Sequence, residues 1–322
     1  MEIGSFIDLQ LPKGQEFYNQ TTNIARLNTG RQAIWHAIRI TGCKTVWLPI
    51  YQCDSVRDTL IDKGINIKYY HTDNNWNPIN LSPIADEAVL IVNYYGIMSH
   101  NRMKELARNF NNAIVDNCQG FFCAPVENAM NVYSCRKFVG VPDGAYVIGE
   151  NAQLHTSEYP QGFSSDTAAF LLMRMEYGCE GKAYEARSIN EHRIDSEKAM
   201  LMSPLTQSIL CATDYDYIQK KRRENFDIAC DFFADINQID PLMYYDSSTI
   251  PMVYPLVVED SGLIDRLFKA KHFQGHWWSY ICDEQPENTF EHWLSKYVIP
   301  ITIDQRYGRS ELEYLNTIIN KM

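Results

Sequence analysis

The chain predicts an α/β fold, with a mostly parallel sheet carrying helices on both faces, followed by a smaller α+β C-terminal domain. Two observations carry this reading. In the first half, short apolar runs alternate with amphipathic segments that have helix start and stop signals, as strand–helix–strand units do. From Asp166 the chain turns helix-rich, and from about Met252 short strands and helices mix. A length of 322 residues suits one large and one small unit, and a hydrophobic fraction of 45% is that of a packed protein.

The elements follow in order. "LNTGRQAIWHAI" is a Thr-Gly-Arg link that opens a helix. "TVWLPI" reads as a strand ending on Pro49, and "DSVRDTLIDKG" as a helix with an Asp54 or Ser55 cap, an apolar stripe at Val56, Leu60 and Ile61, and a stop at Gly64. "INIKYYHTD" is strand-like. "AVLIVNYYG" is a continuous apolar run, expected of a strand covered on both faces. "HNRMKELARNF" is helical, "NAIVDNCQG" and "NAMNVYSC" are strands, and "GAYVIG" closes the set. Connections between parallel strands should be right-handed. Asp166–Met200 is helix-rich with a break near Gly178. "DYDYIQKKRRENFDIACDFFADI" is a long amphipathic helix with apolar positions at Ile218, Phe226, Ala229 and Phe233. "MVYPLVVE" and "YVIPITI" are strands, and "SGLIDRLFKAKHF" and "RSELEYLNTIINK" helices. The boundary between the units falls within Ser188–Asp214, which divides the chain into 1–200 and 201–322.

A net charge of -11 argues against a nucleic-acid or anionic-membrane binder, since both need a basic face. The N-terminus has no basic segment leading an apolar run, and no stretch of about 18 apolar residues occurs, so neither a signal peptide nor a membrane span is expected. The nine cysteines form no CxxC pair and no zinc pattern, which reads as reduced thiols of a cytoplasmic protein without a metal.

In an open parallel α/β sheet, ligands bind beyond the carboxyl ends of the strands. Those ends are Pro49–Cys53, Asn93–Gly96, Asp116–Gln119 and Ser134–Lys137. Gly30–Arg31 begins a helix, where free N–H groups and the helix dipole favour a phosphate. Asp116 follows a buried strand, and Lys137 ends a later one. A phosphate cradle, a carboxylate and a lysine are what pyridoxal 5'-phosphate (PLP) needs. The lysine bonds to its aldehyde carbon, and the carboxylate keeps its ring nitrogen protonated.

With these residues in view, the chain resembles the DegT family of PLP-dependent sugar aminotransferases, which have the aspartate aminotransferase-type fold (PLP-dependent transferase type I). "VDNCQG" supplies the family's Asp, two residues, then Gln, as Asp116 and Gln119. "KFVGVPDGA" supplies a lysine followed six and seven positions later by Asp143 and Gly144. "NTGRQAI" matches the phosphate-binding helix start, and "LPIYQC" the strand end before a cofactor-covering loop. "RRENF" and "VIPITIDQRYGRSELEYL" match the C-terminal half, so the likeness runs from about Leu27 to Asn316. The family's serine five residues before the lysine is Val132 here, with Ser134 the nearest hydroxyl. Its Tyr-Asn-x-Arg segment falls near Ala199–Met202, where "AMLM" has neither Asn nor Arg.

The resemblance implies Lys137 as the covalent and proton-moving amine, with Asp116 as partner of the ring nitrogen. Gln119 and Asn93 become donors to the cofactor ring oxygen or face, and Gly30, Arg31 and Ser134 phosphate ligands. Tyr51 or Cys53 would lie over the ring. A desolvated Lys137 beside Arg136 should have a lowered pKa. "HWWSY", His276–Tyr280, reads either as core or as a sugar-stacking surface, and Lys220–Phe226 as a solvated basic face or a nucleotide-phosphate contact. The implied reaction takes an amine from glutamate or glutamine to a nucleotide-linked keto-sugar, for surface polysaccharide, in a homodimer with the site at its interface. The alternatives are a non-catalytic or regulatory homologue, motivated by Ala199–Met202, and a PLP lyase or dehydratase on sugars. Retention of the lysine weighs against the latter, because the family's sugar dehydratases carry His there.

Overall fold

The computed structural model describes residues 3–19 and 22–320. After an extended N-terminal segment the order is β1 (Ile24–Leu27), α1 (Gly30–Thr41), β2 (Thr45–Pro49), α2 (Asp54–Asp62), β3 (Asn66–Thr72), β4 (Pro78–Ile79), β5 (Glu87–Val92), α3 (His100–Ala107), β6 (Ala113–Asp116), β7 (Met130–Ser134) and β8 (Ala145–Ile148). These strands form one sheet, ordered β1-β8-β7-β6-β5-β2-β3-β4. The centre, β7-β6-β5-β2-β3, is parallel, and β1, β8 and β4 pair antiparallel at the edges.

The central strands lie between helices, and their composition shows it. All six residues of β5 and all four of β6 are buried, so no alternation survives and the strands read as unbroken apolar runs. Helix α1 buries Ala33, Ile34, Ala37 and Ile38 along one face, and Gly42 at φ 75° stops it. β1 is only four residues long. Its place depends on β8, with Ile24 opposite Ile148 and Leu27 opposite Ala145.

The second half contains α4 (Ala169–Tyr177), α5 (Lys182–Ser196), α6 (Pro204–Cys211), α7 (Tyr215–Phe233), β9 (Val253–Val257), α8 (Leu263–Lys269), α9 (Ile281–Glu284), α10 (Phe290–Tyr297), β10 (Val298–Thr302) and α11 (Arg309–Ile319). β9 and β10 make a two-stranded antiparallel sheet, covered by α7 and α11. The break expected near Gly178 is the end of α4, where that glycine has φ 78°. Helix α7 buries Ile218, Phe226, Ala229 and Phe233 as the periodicity requires, with Arg222 and Asn225 on the same stripe.

The main core runs continuously from the large sheet into α7, β9, β10 and α11. Helix α6 is tied back to the sheet at the β7–β8 corner. There the buried Asp143 carboxylate accepts from Ser203 N at 2.9 Å, from Ser203 Oγ at 2.7 Å and from the Thr206 hydroxyl. No helix among the described residues is long and apolar enough to cross a membrane.

Candidate active site

The parallel strands β2, β5, β6 and β7 all end at one edge of the sheet, and the residues after them meet there. Asp116 is the last residue of β6. It is buried, paired in register with Val92 on one side and Val132 on the other. Its Oδ1 accepts from the Cys118 backbone N–H at 2.9 Å, and its Oδ2 from Gln52 Nε2 at 3.4 Å. Two donors therefore orient the carboxylate.

Helix α1 starts against this group. Thr29 Oγ1 caps it by accepting from Gln32 N at 3.3 Å, which leaves the N–H groups of Gly30 and Arg31 at the open end. A Cβ on Gly30 would lie 2.9 Å from Cys118 Sγ and 3.7 Å from the Ser134 Cβ. The first turn of α1 thus sits directly on the end of β7 and on the residue two past Asp116. Only the absence of a side chain permits that approach.

Lys137 ends a short 3₁₀ turn, Cys135–Lys137, after β7. It is exposed, and no carboxylate lies within ion-pair distance of it among the described residues. Burial, then the Asp116 carboxylate, pushes the Cys118 thiol well above its ordinary pKa, while the Lys137 ammonium works against the rise. Cys118 therefore lies within the fields of both groups, with Gly30 against its sulfur. Gly30, Ser134 and Asp116 meet around it, and Lys137 lies on the turn that follows Ser134. The expected desolvation of Lys137 is not found, because the residue is exposed. Its neighbour Arg136 pairs with Glu191 of α5.

The Asp-Gly pair after the lysine has a structural part. Gly144 has φ +116°, and a Cβ there would lie 2.9 Å from Thr206 Cγ2. Its N–H donates to Asn28 O at 2.6 Å. With Asp143 holding Ser203 and Thr206, this pair joins the link before α1, the turn bearing Lys137 and the start of α6.

Tyr51, Asn93 and Gln119 are each held by neighbours in the chain. Tyr51 is fully buried. Its hydroxyl is 2.7 Å from that of Tyr95, its ring packs edge-on against Trp278 at 4.6 Å, and burial pushes its phenol well up. Its neighbour Gln52 is the residue of that loop that reaches Asp116. Cys53 precedes α2, with Sγ 3.0 Å from Ser55 Oγ. Asn93 is spent on the strand end: its Nδ2 donates to Asn117 Oδ1 at 3.0 Å and its Oδ1 accepts from Met98 N at 3.2 Å. Gln119 is buried, and its Oε1 accepts from Tyr95 N at 2.7 Å, which fixes the amide and leaves its NH₂ as the free end. Tyr95 holds an uncommon φ of 57° to offer that N–H.

The aromatic run His276–Tyr280 packs against the core while staying partly exposed. Trp277 stacks on Tyr95 at 5.5 Å, and His276 Nδ1 lies 2.8 Å from Val298 O. Within Lys220–Phe226, Lys220 is solvated, but Arg222 is buried beneath Phe138, its guanidinium carbon 4.4 Å from the ring centroid. It donates to Met252 O at 2.8 Å, and burial lowers its pKa to about 10. The site residues that sequence reasoning missed are Gln52 and Cys118. The quoted runs "LPIYQC" and "VDNCQG" hold both, but residue type alone does not say which side chain of a loop turns inward.

No family model and no curated protein matches the chain. Solved structures do. The sugar aminotransferase CalS13 from Micromonospora echinospora superposes with a TM-score of 0.61 at 14% identity, over 92% of this chain and 86% of that one. A DegT DnrJ EryC1 StrS aminotransferase from Brucella abortus gives 0.61 at 12% identity, over 92% and 84%. NtdA from Bacillus subtilis, solved with bound cofactor PMP, gives 0.61 at 13% identity, over 92% and 73%. The chain shares the fold of these proteins across nearly its whole length.

Proposed function

We propose that the protein is a PLP-dependent aminotransferase that moves an amine from glutamate or glutamine to a nucleotide-linked keto-sugar, in the cytoplasm, for surface polysaccharide. The observation that carries the reading is the meeting of Gly30, Ser134 and Asp116 around Cys118 at the carboxyl edge of the sheet, with Lys137 on the turn that follows Ser134. Support for the sugar acceptor comes from CalS13, which is named a sugar aminotransferase, and support for the cofactor from NtdA, which holds PMP.

The residues fit the cofactor. The open N–H groups of Gly30 and Arg31, with the Ser134 hydroxyl beside them, make an anion cradle that a side chain on Gly30 would fill. Asp116, oriented by Gln52 and the Cys118 N–H, suits a protonated ring nitrogen. When bound, PLP supplies a ring that stabilises negative charge on the amine-bearing carbon of the substrate. Lys137 would be the amine that holds the cofactor, and its amine would be the group placed to move a proton there. Asp116 would pair with the ring nitrogen, and the NH₂ of Gln119 would remain to donate to a cofactor oxygen. Asn93 and Tyr51 hold the loops that carry Gln119 and Gln52.

A homodimer is part of this reading. Helix α4 has no buried residue, and Leu172, Met175 and Tyr177 on it, with Tyr184 and Ile189 on α5, are exposed. Apolar faces of this kind call for a cover, and the C-terminal half of α5 borders the cluster through Glu191 and Asp195. A second copy seated there would bring the site to the interface. Leu172→Glu with Met175→Glu should convert the dimer to a monomer by sedimentation; a wild-type monomer overturns this part alone.

The segment Ala199–Met202 favours a second reading. Met200 O accepts from Asn28 N at 3.0 Å and Met202 N donates to Arg26 O at 3.1 Å, so its backbone is bound within its own chain. A homologue that binds the cofactor without transferring an amine would keep that arrangement. One experiment separates the two. Protein purified with PLP should be yellow, lose the visible band in Lys137→Ala, and be bleached by glutamate at a rate cut about 100-fold by Asp116→Asn. A band that glutamate leaves untouched favours the non-catalytic homologue or a lyase, and a protein that takes up no PLP rejects the proposal.

A further inference from the structure

Beside Lys137 the chain gathers three guanidinium groups. Arg31, on the first turn of α1, pairs with Asp195 at 2.6 Å. Arg136, the residue before Lys137, pairs with Glu191, and Arg187 stands 3.9 Å from the same Glu191 carboxylate. Both carboxylates belong to α5. Three cations thus face two anions, with the unpaired Lys137 adjoining, in a chain whose net charge is -11. This is a local positive field against the trend of the molecule.

Arg136 is the least satisfied of the three. Its side chain is 23% exposed, and its Nε is buried without an acceptor. A guanidinium presents five N–H donors in a fork matched to carboxylate and phosphate. Glu191 leaves part of that fork unused. Glu191 also has somewhere else to go: Arg187 lies one turn earlier on the same helix, the favourable i,i+4 spacing. Moving Glu191 from Arg136 to Arg187 needs a side-chain rotation and leaves no stranded charge. Asp195 is mostly solvated and can release Arg31 at similarly small cost.

We propose that Arg136 and Arg31 form an oxyanion subsite beside Lys137, which Glu191 and Asp195 of α5 occupy from within the chain and which an acidic group of the substrate takes over. The incoming group is a carboxylate or a phosphate, the first from an amino-acid donor, the second from a nucleotide-linked acceptor. Glu191 then acts as a built-in competitor: weak acidic ligands do not displace it, and one that fills both forks of Arg136 and Arg31 does. This rests on the aminotransferase reading for the ligand's identity, but the exchange of anions at Arg136 does not.

The test uses calorimetric titration of the full-length, PLP-incubated protein with glutarate, which cannot react, and separately with uridine diphosphate. Glu191→Gln should tighten one of these ligands about three- to fivefold, and Arg136→Gln should weaken the same ligand about tenfold or more. Both variants should keep the visible band of the wild type, which shows that they are folded and loaded. A gain for glutarate assigns the subsite to the donor, and a gain for uridine diphosphate to the acceptor. Unchanged or weaker binding of both ligands in Glu191→Gln overturns the proposal. If the wild type is colourless, the aminotransferase reading fails; folding is then read by circular dichroism and the two affinity changes still decide the subsite.

Discussion

The Cβ that Gly30 lacks would stand 2.9 Å from the sulfur of Cys118. Two segments almost ninety residues apart, the start of α1 and the loop after β6, are therefore in van der Waals contact at the point where the proposed phosphate and ring ends of the ligand converge. Gly30→Ala should force them apart and weaken PLP binding about tenfold, the equivalent of an overpacking cost near 1.4 kcal/mol. Cys118→Ala removes the colliding atom. In Gly30→Ala/Cys118→Ala the affinity should return to within about threefold of the Cys118→Ala single variant, measured by cofactor titration. Additive losses would mean the glycine is needed for something other than this contact.

Asp143 should prove structural. It accepts from Ser203 N, Ser203 Oγ and the Thr206 hydroxyl inside the protein. Asp143→Ala leaves those donors without an acceptor and should cost roughly 2–4 kcal/mol in urea unfolding. Asp143→Asn keeps one acceptor oxygen and should cost about half as much. A cofactor band lost with unchanged stability would instead place Asp143 in the chemistry.

Acid should destabilise the fold in a defined window. His36 is buried, with Nδ1 2.8 Å from the Tyr159 hydroxyl and Nε2 2.8 Å from Ala152 O, and burial lowers its pKa. His272 has no partner at either ring nitrogen among the described residues, and burial lowers it to about 4. Below the unfolded value of about 6.5, the unfolded chain binds the protons that these two resist, so stability falls as pH drops from about 6.5 towards 4. His272→Leu should flatten the fall in urea midpoint between pH 6.5 and 4.5. An unchanged slope would show that other groups govern it.

The parts legible in the sequence were those where one residue type has few alternatives. β5 and β6 are unbroken apolar runs because both faces are covered, and Asp116, Gly30 and Lys137 stand at element ends where chemistry concentrates. The loop after β2 was not legible in the same way. Nothing in "YQC" says that Tyr51 turns into the core, against Trp278, while Gln52 turns to Asp116; the direction depends on distant partners. Asn93 is ambiguous for a related reason: a strand-end amide serves the backbone as readily as a ligand, and here it is bonded to Asn117 and Met98. Arg222 was legible and passed over. It lies four residues from both Ile218 and Phe226, on the buried stripe of α7, although the basic run around it suggested solvent. β1 could not be read from four residues whose strand character comes from β8.

The fastening at Gly144 has one more consequence. Its N–H holds Asn28, two residues before the helix start, while Asp143 pins the same corner to α6. The lysine's turn and the anion cradle are thereby riveted to a common frame before anything arrives. On the proposed reading, the gap between them would act as a gauge: a ligand gripped at both ends would be admitted by its length, and a shorter or longer phosphorylated aldehyde would reach one end only.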